Sequence, residues 1–156
     1  YVVIPGFNGG MKPDFMLTMM FIGILLFPRV KEVFLLAVTT GIISGLFSTF
    51  PGGFVPNIID KFVTAFIFYV IVVLLKKMAQ KIVVSAILAG IGTIISGSVF
   101  LGSAIVVTGA NIPFGALFLT VVLPAVAINI VAFVIIYPII MNLVKRSKFT
   151  TALHQA

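Results

Sequence analysis

IVVSAILAGIGTIISGSVFLGSAIVVT, residues 82–108, carries no charged side chain and no proline. A helix needs about 20 residues to cross a hydrocarbon core of about 30 Å, and this run exceeds that. Membrane strands would be shorter and would alternate in polarity, so a helix is the reading. Outward from it, turn residues and charges mark off four more apolar stretches at 14–27, 33–48, 58–75 and 113–144. The first two are short for a span, whereas the last and 82–108 are long enough to tilt or kink. Over all 156 residues, 62% are hydrophobic and 8% charged, with a mean hydropathy of +1.35. A soluble domain of this size carries roughly a quarter charged residues. Ten basic and three acidic residues do not clothe such a globule, so lipid is the solvent for most of its surface. The sequence predicts an all-α, polytopic membrane helix bundle with five helices. It forms a single transmembrane domain over 1–148, followed by a tail at 149–156. A cytosolic enzyme, a nucleic-acid module and a disordered tail are excluded.

The charges then orient the bundle. Arg29 and Lys31 lie in the turn at 28–32, Lys76, Lys77 and Lys81 in the turn at 76–81, and Lys145, Arg146 and Lys148 after the last stretch. The alternate connections hold only Lys12 and Lys61. By the positive-inside rule the basic turns and the C-terminus are cytoplasmic, and residues 1–13, 49–57 and 109–112 are extracellular. The net charge of +7 is thus an orientation signal and not a nucleic-acid footprint. Tyr1 to Phe7 reads as the outer end of a preceding helix, so a sixth span is expected upstream of residue 1.

Two stripes of small residues, Ala37, Gly41, Ser44, Gly45 and Ser48 in the second stretch and Ala86, Gly90, Thr93, Gly97 and Ala104 in the fourth, are packing surfaces. They serve either the bundle itself or a second membrane protein. Pro124 should kink the last helix, and Tyr137-Pro138 should bend it again.

Motifs for chemistry are missing. The chain has no cysteine, no phosphate-binding loop, no HExxH and no pair of carboxylates buried at mid-membrane. No catalysis, cofactor or metal is expected. Polar residues gather instead on the outer side. Thr49 to Asn57 is a loop rich in glycine, proline and phenylalanine. Asn57, Asp60, Lys61 and Thr64 share one helical face, and Lys12-Pro13-Asp14 faces them across the mouth. An ionisable residue in a span costs about 2.5–3.5 kcal/mol on insertion scales, so it faces a cavity or a partner. Asn57 and Asp60 also suit a helix start, as cap and as dipole partner, and Lys61 suits pairing with Asp60 or Asp14. Deeper lie Ser96, Ser98 and Ser103, and Asn129 needs a mid-membrane hydrogen-bond partner. Cations, anions, amides and aromatic faces around glycine-rich loops suit a small zwitterionic or aromatic ligand entering from outside. The cytoplasmic halves are almost purely apolar, so the chain is equipped to capture a solute and poorly equipped to move it unaided.

GGMKPDFMLTMMFIGILLFP at 9–28, STFPGGFVPNIIDKFVTAF at 48–66, GTIISGSVFLGSA at 92–104 and VVLPAVAINIVAFVIIYPI at 121–139 resemble the tryptophan transporter (TrpP) family, over most of the chain from 5 to 146. Those proteins are regarded as substrate-binding S components of energy-coupling factor (ECF) transporters. The resemblance implies a six-helix membrane protein that binds its ligand near the extracellular surface. It also implies partners in a transmembrane coupling subunit and two cytoplasmic ATPases, which would supply the missing power source. The small-residue coupling motif of S components lies in their first helix, which would correspond to the span expected upstream of residue 1. Ala37, Gly41 and Gly45 are substitutes to test.

For a tryptophan-like ligand, charge complementarity and stacking place Asp60 at the ammonium and Lys61 or Lys12 at the carboxylate. Phe50 and Phe54 would stack on the indole, and Asn57, Ser98 or Asn129 would accept its N–H. The alternatives are a stand-alone secondary transporter or channel, which needs a polar path to the cytoplasmic side, and a ligand-free structural subunit.

Overall fold

The computed structural model describes residues 14–79, 81–109, 111 and 113–147. Five helices order these residues: α1 (Phe15–Leu26), α2 (Val30–Leu46), α3 (Phe54–Leu74), α4 (Ile82–Thr108) and α5 (Phe114–Arg146). No strand occurs among them. Three of the five, α3, α4 and α5, are long and apolar enough to cross a membrane. The large exposed side chains are apolar, among them Leu35, Leu46, Leu74, Val83, Val106, Leu119 and Leu143. Lipid is the solvent that tolerates such a surface. The chain is an all-α membrane helix bundle.

The first helix sits in the middle. Apolar all round, α1 packs against α2, α3, α4 and α5, and Leu17, Met20, Phe21, Ile22, Ile24, Leu25 and Leu26 are buried. In lipid an apolar helix gains nothing by avoiding solvent, so α1 is held inside by packing against its four neighbours. Asp14 caps it, its Oδ1 accepting from Leu17 N–H at 2.9 Å. Around it α2, α3, α4 and α5 pack in chain order, each against the next.

The small-residue stripes lie inside this ring. A Cβ on Gly41 would stand 3.1 Å from Ile58 Cα, and one on Gly45 would stand 3.0 Å from Phe54 O, so both glycines let the α2 and α3 backbones touch. On α4, Gly92 makes room for the ring of Phe21, Gly90 for Ile130 and Gly97 for Val122. Ala37 is 1% exposed. Ala37, Gly41 and Gly45 pack α2 on its own chain, the first of the two roles open to the stripe.

Helix starts differ from the sequence reading where charge or proline obscured them. Lys31 and Glu32 lie in the first turn of α2, with Arg29 reaching Glu32 at 3.6 Å. α3 begins at Phe54, because Pro56 falls in the first turn, where a missing N–H is harmless. Asn57 is therefore inside the helix and does not cap it. Before α3, Phe50-Pro51-Gly52-Gly53 closes a turn through Gly53 N–H to Phe50 O at 2.9 Å, with Gly52 at φ +71°. Proline second and a left-handed glycine third define a type II turn.

Pro124 acts on α5 as a proline should. It has no N–H for the carbonyl of Thr120, and the helix widens into a π turn over Phe118–Val122, where Leu123 N–H reaches Phe118 O. The helix continues through Pro138 to Arg146. Away from the cavity at the head of α1 the core is mostly apolar, with Ser85 buried and donating to Ala79 O. Phe21 stacks on Phe68 at 4.2 Å and Phe133 on Tyr137 at 5.1 Å, with Val33, Ala65, Val72 and Ala89 around them.

Candidate functional site

A cavity of about 450 Å³ opens between the N-terminal halves of α1, α3 and α5 and the C-terminal halves of α2 and α4. That volume lies in the roughly 300–1,000 Å³ range of small-molecule sites. Its floor is polar and held together by one hydrogen-bonded network across four helices. Lys61 of α3 donates to Asp60 Oδ2 at 2.7 Å and to Asp14 Oδ2, at the head of α1, at 2.8 Å. Its third contact is Ser96 Oγ on α4, at 3.4 Å. Ser96 donates to the same Asp60 oxygen at 2.9 Å, and Thr64 donates to the other at 3.0 Å. Asp60, Lys61 and Thr64 follow helical spacing of one, three and four, which puts all three on the inner face of α3.

Asn129 joins the network from α5, about 22 Å along that helix from Phe114. Its Nδ2 donates to Thr93 Oγ1 at 3.3 Å, and its Oδ1 accepts from the backbone N–H of Asp14 at 3.2 Å. The mid-membrane amide thus has the partners its burial demands. Burial is nearly complete for Asp60 and Lys61, whose side chains are 1% and 2% exposed, whereas Asp14 keeps 25%.

The walls are aromatic and aliphatic. Phe47, Phe50, Phe100 and Leu101 line one side, and Leu117, Val121 and Ile128 the other. Phe50 meets Phe100 edge to face at 5.5 Å, and the type II turn places it there. Two polar groups on the wall are held differently from the floor. Asn57 donates its amide nitrogen to Gly53 O at 2.7 Å, which fixes the carbonyl oxygen as the other half of the amide. Ser44 lines the cavity, is buried, and its Oγ has no hydrogen-bond partner among the described residues. Thr93, Ser98, Thr108 and Thr120 bond back to their own helices, and Ser44 does not.

Of the residues singled out from the sequence, Asp60, Lys61, Asn57, Phe50 and Asn129 come together at this cavity. Phe54 and Ser98 are not in its lining. Because α3 starts at Phe54, that ring turns toward Gly45 of α2 and is 43% exposed. Ser98 donates to Ile94 O on the outer surface of α4. Lys12 lies outside the described residues. Sequence reasoning missed Ser44, Phe47, Thr93 and Phe100 as lining residues. Their signal, small and aromatic residues in apolar helices, is the same one that marks ordinary packing.

The chain can therefore hold a compact ligand against ion-paired groups at the floor and aromatic edges at the wall. The family model for the tryptophan transporter TrpP matches residues 1–145. The chain belongs to that family. One relative is a probable tryptophan transport protein of Bacillus subtilis, 52% identical over 150 residues that cover 96% of this chain and 87% of the relative. Another, of the same description, comes from Clostridium acetobutylicum, 44% identical over 86% of this chain and 79% of its own. A third, from Clostridium perfringens, is 36% identical over 88% and 80%. No solved structure matches the chain significantly. Membership in a family of transporters accounts for the membrane bundle and points to transport, not catalysis. It fits a cavity built to take a small-molecule substrate.

Proposed function

We propose that this chain is the substrate-binding membrane subunit of an ATP-driven importer of the ECF type, capturing tryptophan, or a related aromatic amino acid or precursor, from the extracellular side. The observation that carries the reading is the cluster of Lys61, Asp60 and Asp14 on the floor of an aromatic-walled cavity. An apolar core centred on Phe21, Phe68 and Phe133 fills the bundle away from that cavity. A zwitterion matches the floor: Lys61 meets the carboxylate and one of the two acids meets the ammonium. Phe50 packs on the ring, and the carbonyl oxygen of Asn57 accepts the indole N–H. The printed descriptions of the relatives name tryptophan. The basic residues at 29–31, 76–81 and 145–148 support a cytoplasmic C-terminus by the positive-inside rule. A protein that captures without a polar exit path needs partners, and a transmembrane coupling subunit with two ATPases supplies the work.

The test is reconstitution in liposomes. The chain alone should bind tryptophan saturably without accumulating it, and accumulation should require the coupling subunit, both ATPases and ATP. Tryptophan flux through the chain alone would make it a secondary transporter, and absence of saturable binding would make it a structural subunit.

A further inference from the structure

Two carboxylates hold Lys61, and they are not equivalent. Asp60 is sealed: both its oxygens are engaged, Oδ2 by Lys61 and Ser96, Oδ1 by Thr64, and its side chain is 1% exposed. Every one of those partners sits on α3 or α4, so displacing Asp60 from Lys61 would dismantle contacts within the core. Asp14 divides its labour. Oδ1 caps α1 through Leu17 N–H, its backbone N–H is fixed on Asn129, and Oδ2 reaches Lys61 from a side chain that is 25% exposed at the cavity. The two oxygens of Asp14 move together, so turning Oδ2 away from Lys61 shifts the cap bond as well, but the backbone anchor on Asn129 stays in place.

We infer that Asp14 is the exchangeable acid of the site: a bound zwitterion takes over its contact with Lys61 through the carboxylate, and Asp14 turns to the ligand ammonium, while Asp60 stays behind Lys61 as a positioning residue. The net charge of the floor is the same before and after, since a zwitterion adds none. Without ligand the ammonium of Lys61 lies between two carboxylates. With ligand it lies between Asp60 and the incoming carboxylate, and the ligand ammonium lies against Asp14. Neither an unpaired cation nor an unpaired anion is created in the buried floor. The exchange requires both charges on one small molecule, so it selects an α-amino acid over a ligand with an anion or a cation alone. This inference rests on the proposed amino-acid-binding function and specifies its recognition step.

The experiment measures equilibrium binding of tryptophan, indole-3-propionate (no ammonium) and tryptamine (no carboxylate) to the purified full chain and to three variants. Wild type should prefer tryptophan over indole-3-propionate by roughly tenfold or more, the worth of a charge-assisted hydrogen bond. Asp14→Asn keeps a good helix cap and removes the charge. It should lose tryptophan and tryptamine binding by roughly tenfold or more while indole-3-propionate binds at least as tightly, because its competitor for Lys61 is gone. Asp14→Glu should retain the preference for tryptophan. Asp60→Asn should weaken tryptophan and indole-3-propionate alike, since it acts through Lys61. The inference is overturned if wild type binds the two indole acids equally, if Asp14→Asn weakens both alike, or if the selective loss appears in Asp60→Asn. Failure of wild type to bind tryptophan at all sinks the proposed function itself, a result distinct from the three above.

Discussion

Lys61 stands where an ammonium costs most, fully buried in a transmembrane helix, and it is tolerable only because two carboxylates and a hydroxyl meet its three N–H groups. Removing it leaves one buried anion, Asp60, and a half-buried one, Asp14. Lys61→Met should therefore destabilise the bundle by about 3–5 kcal/mol, the usual cost of breaking a buried pair. The check is denaturant unfolding in detergent, where an unchanged midpoint would show the cluster to be solvated. Ser44 behaves oppositely. Its hydroxyl has no partner among the described residues, so Ser44→Ala should leave stability unchanged or slightly raised, within about 1 kcal/mol. Adjacent Asp60 and Lys61 were legible as a pair in the sequence, since two opposite charges in an apolar helix demand each other. Ser44 was not, because an unsatisfied hydroxyl is a property of its surroundings.

At the scale of elements, the sequence was most readable where it was least polar. The run at 82–108 is α4 (Ile82–Thr108), residue for residue, because nothing inside it interrupts a helix. Where charges sit in a first turn, as Lys31 and Glu32 do in α2, they read as loop and hide the start. Pro56 hid the start of α3 in the same way, and with it the direction of Phe54. The kink expected at Pro124 takes the form of a π turn over Phe118–Val122, just upstream, a detail set by the carbonyl of Thr120 that loses its donor. Two predictions belong here. Gly52→Ala puts a side chain on a left-handed residue of the type II turn and should cost about 1 kcal/mol, read as a lower unfolding midpoint. Gly41→Leu drives a side chain into the α3 backbone at Ile58 and should cost about 1–3 kcal/mol or more. Wild-type stability in that variant would mean α2 does not press on α3.

For the whole molecule, α1 is the central post and the cavity lies at its head. That arrangement joins Asp14 to Lys61 and to Asn129, residues 47 and 115 positions apart in the chain, and no local pattern announces either contact. Asp14 and Lys61 were legible as complementary charges, but the floor linking α1, α3, α4 and α5 exists only once the helices are packed. The ion cluster at one end and the mostly apolar core beyond it follow from the uneven spread of polar residues along the helices. The central claim, that this cavity holds an indole-bearing amino acid, has a direct optical test. The chain contains no tryptophan, so indole-selective excitation reports the ligand alone. Titrating purified chain with tryptophan should give a blue-shifted emission that saturates at one ligand per chain. An emission that stays at its value in water, or a shift that rises without saturation as in simple partition into detergent, would contradict the account.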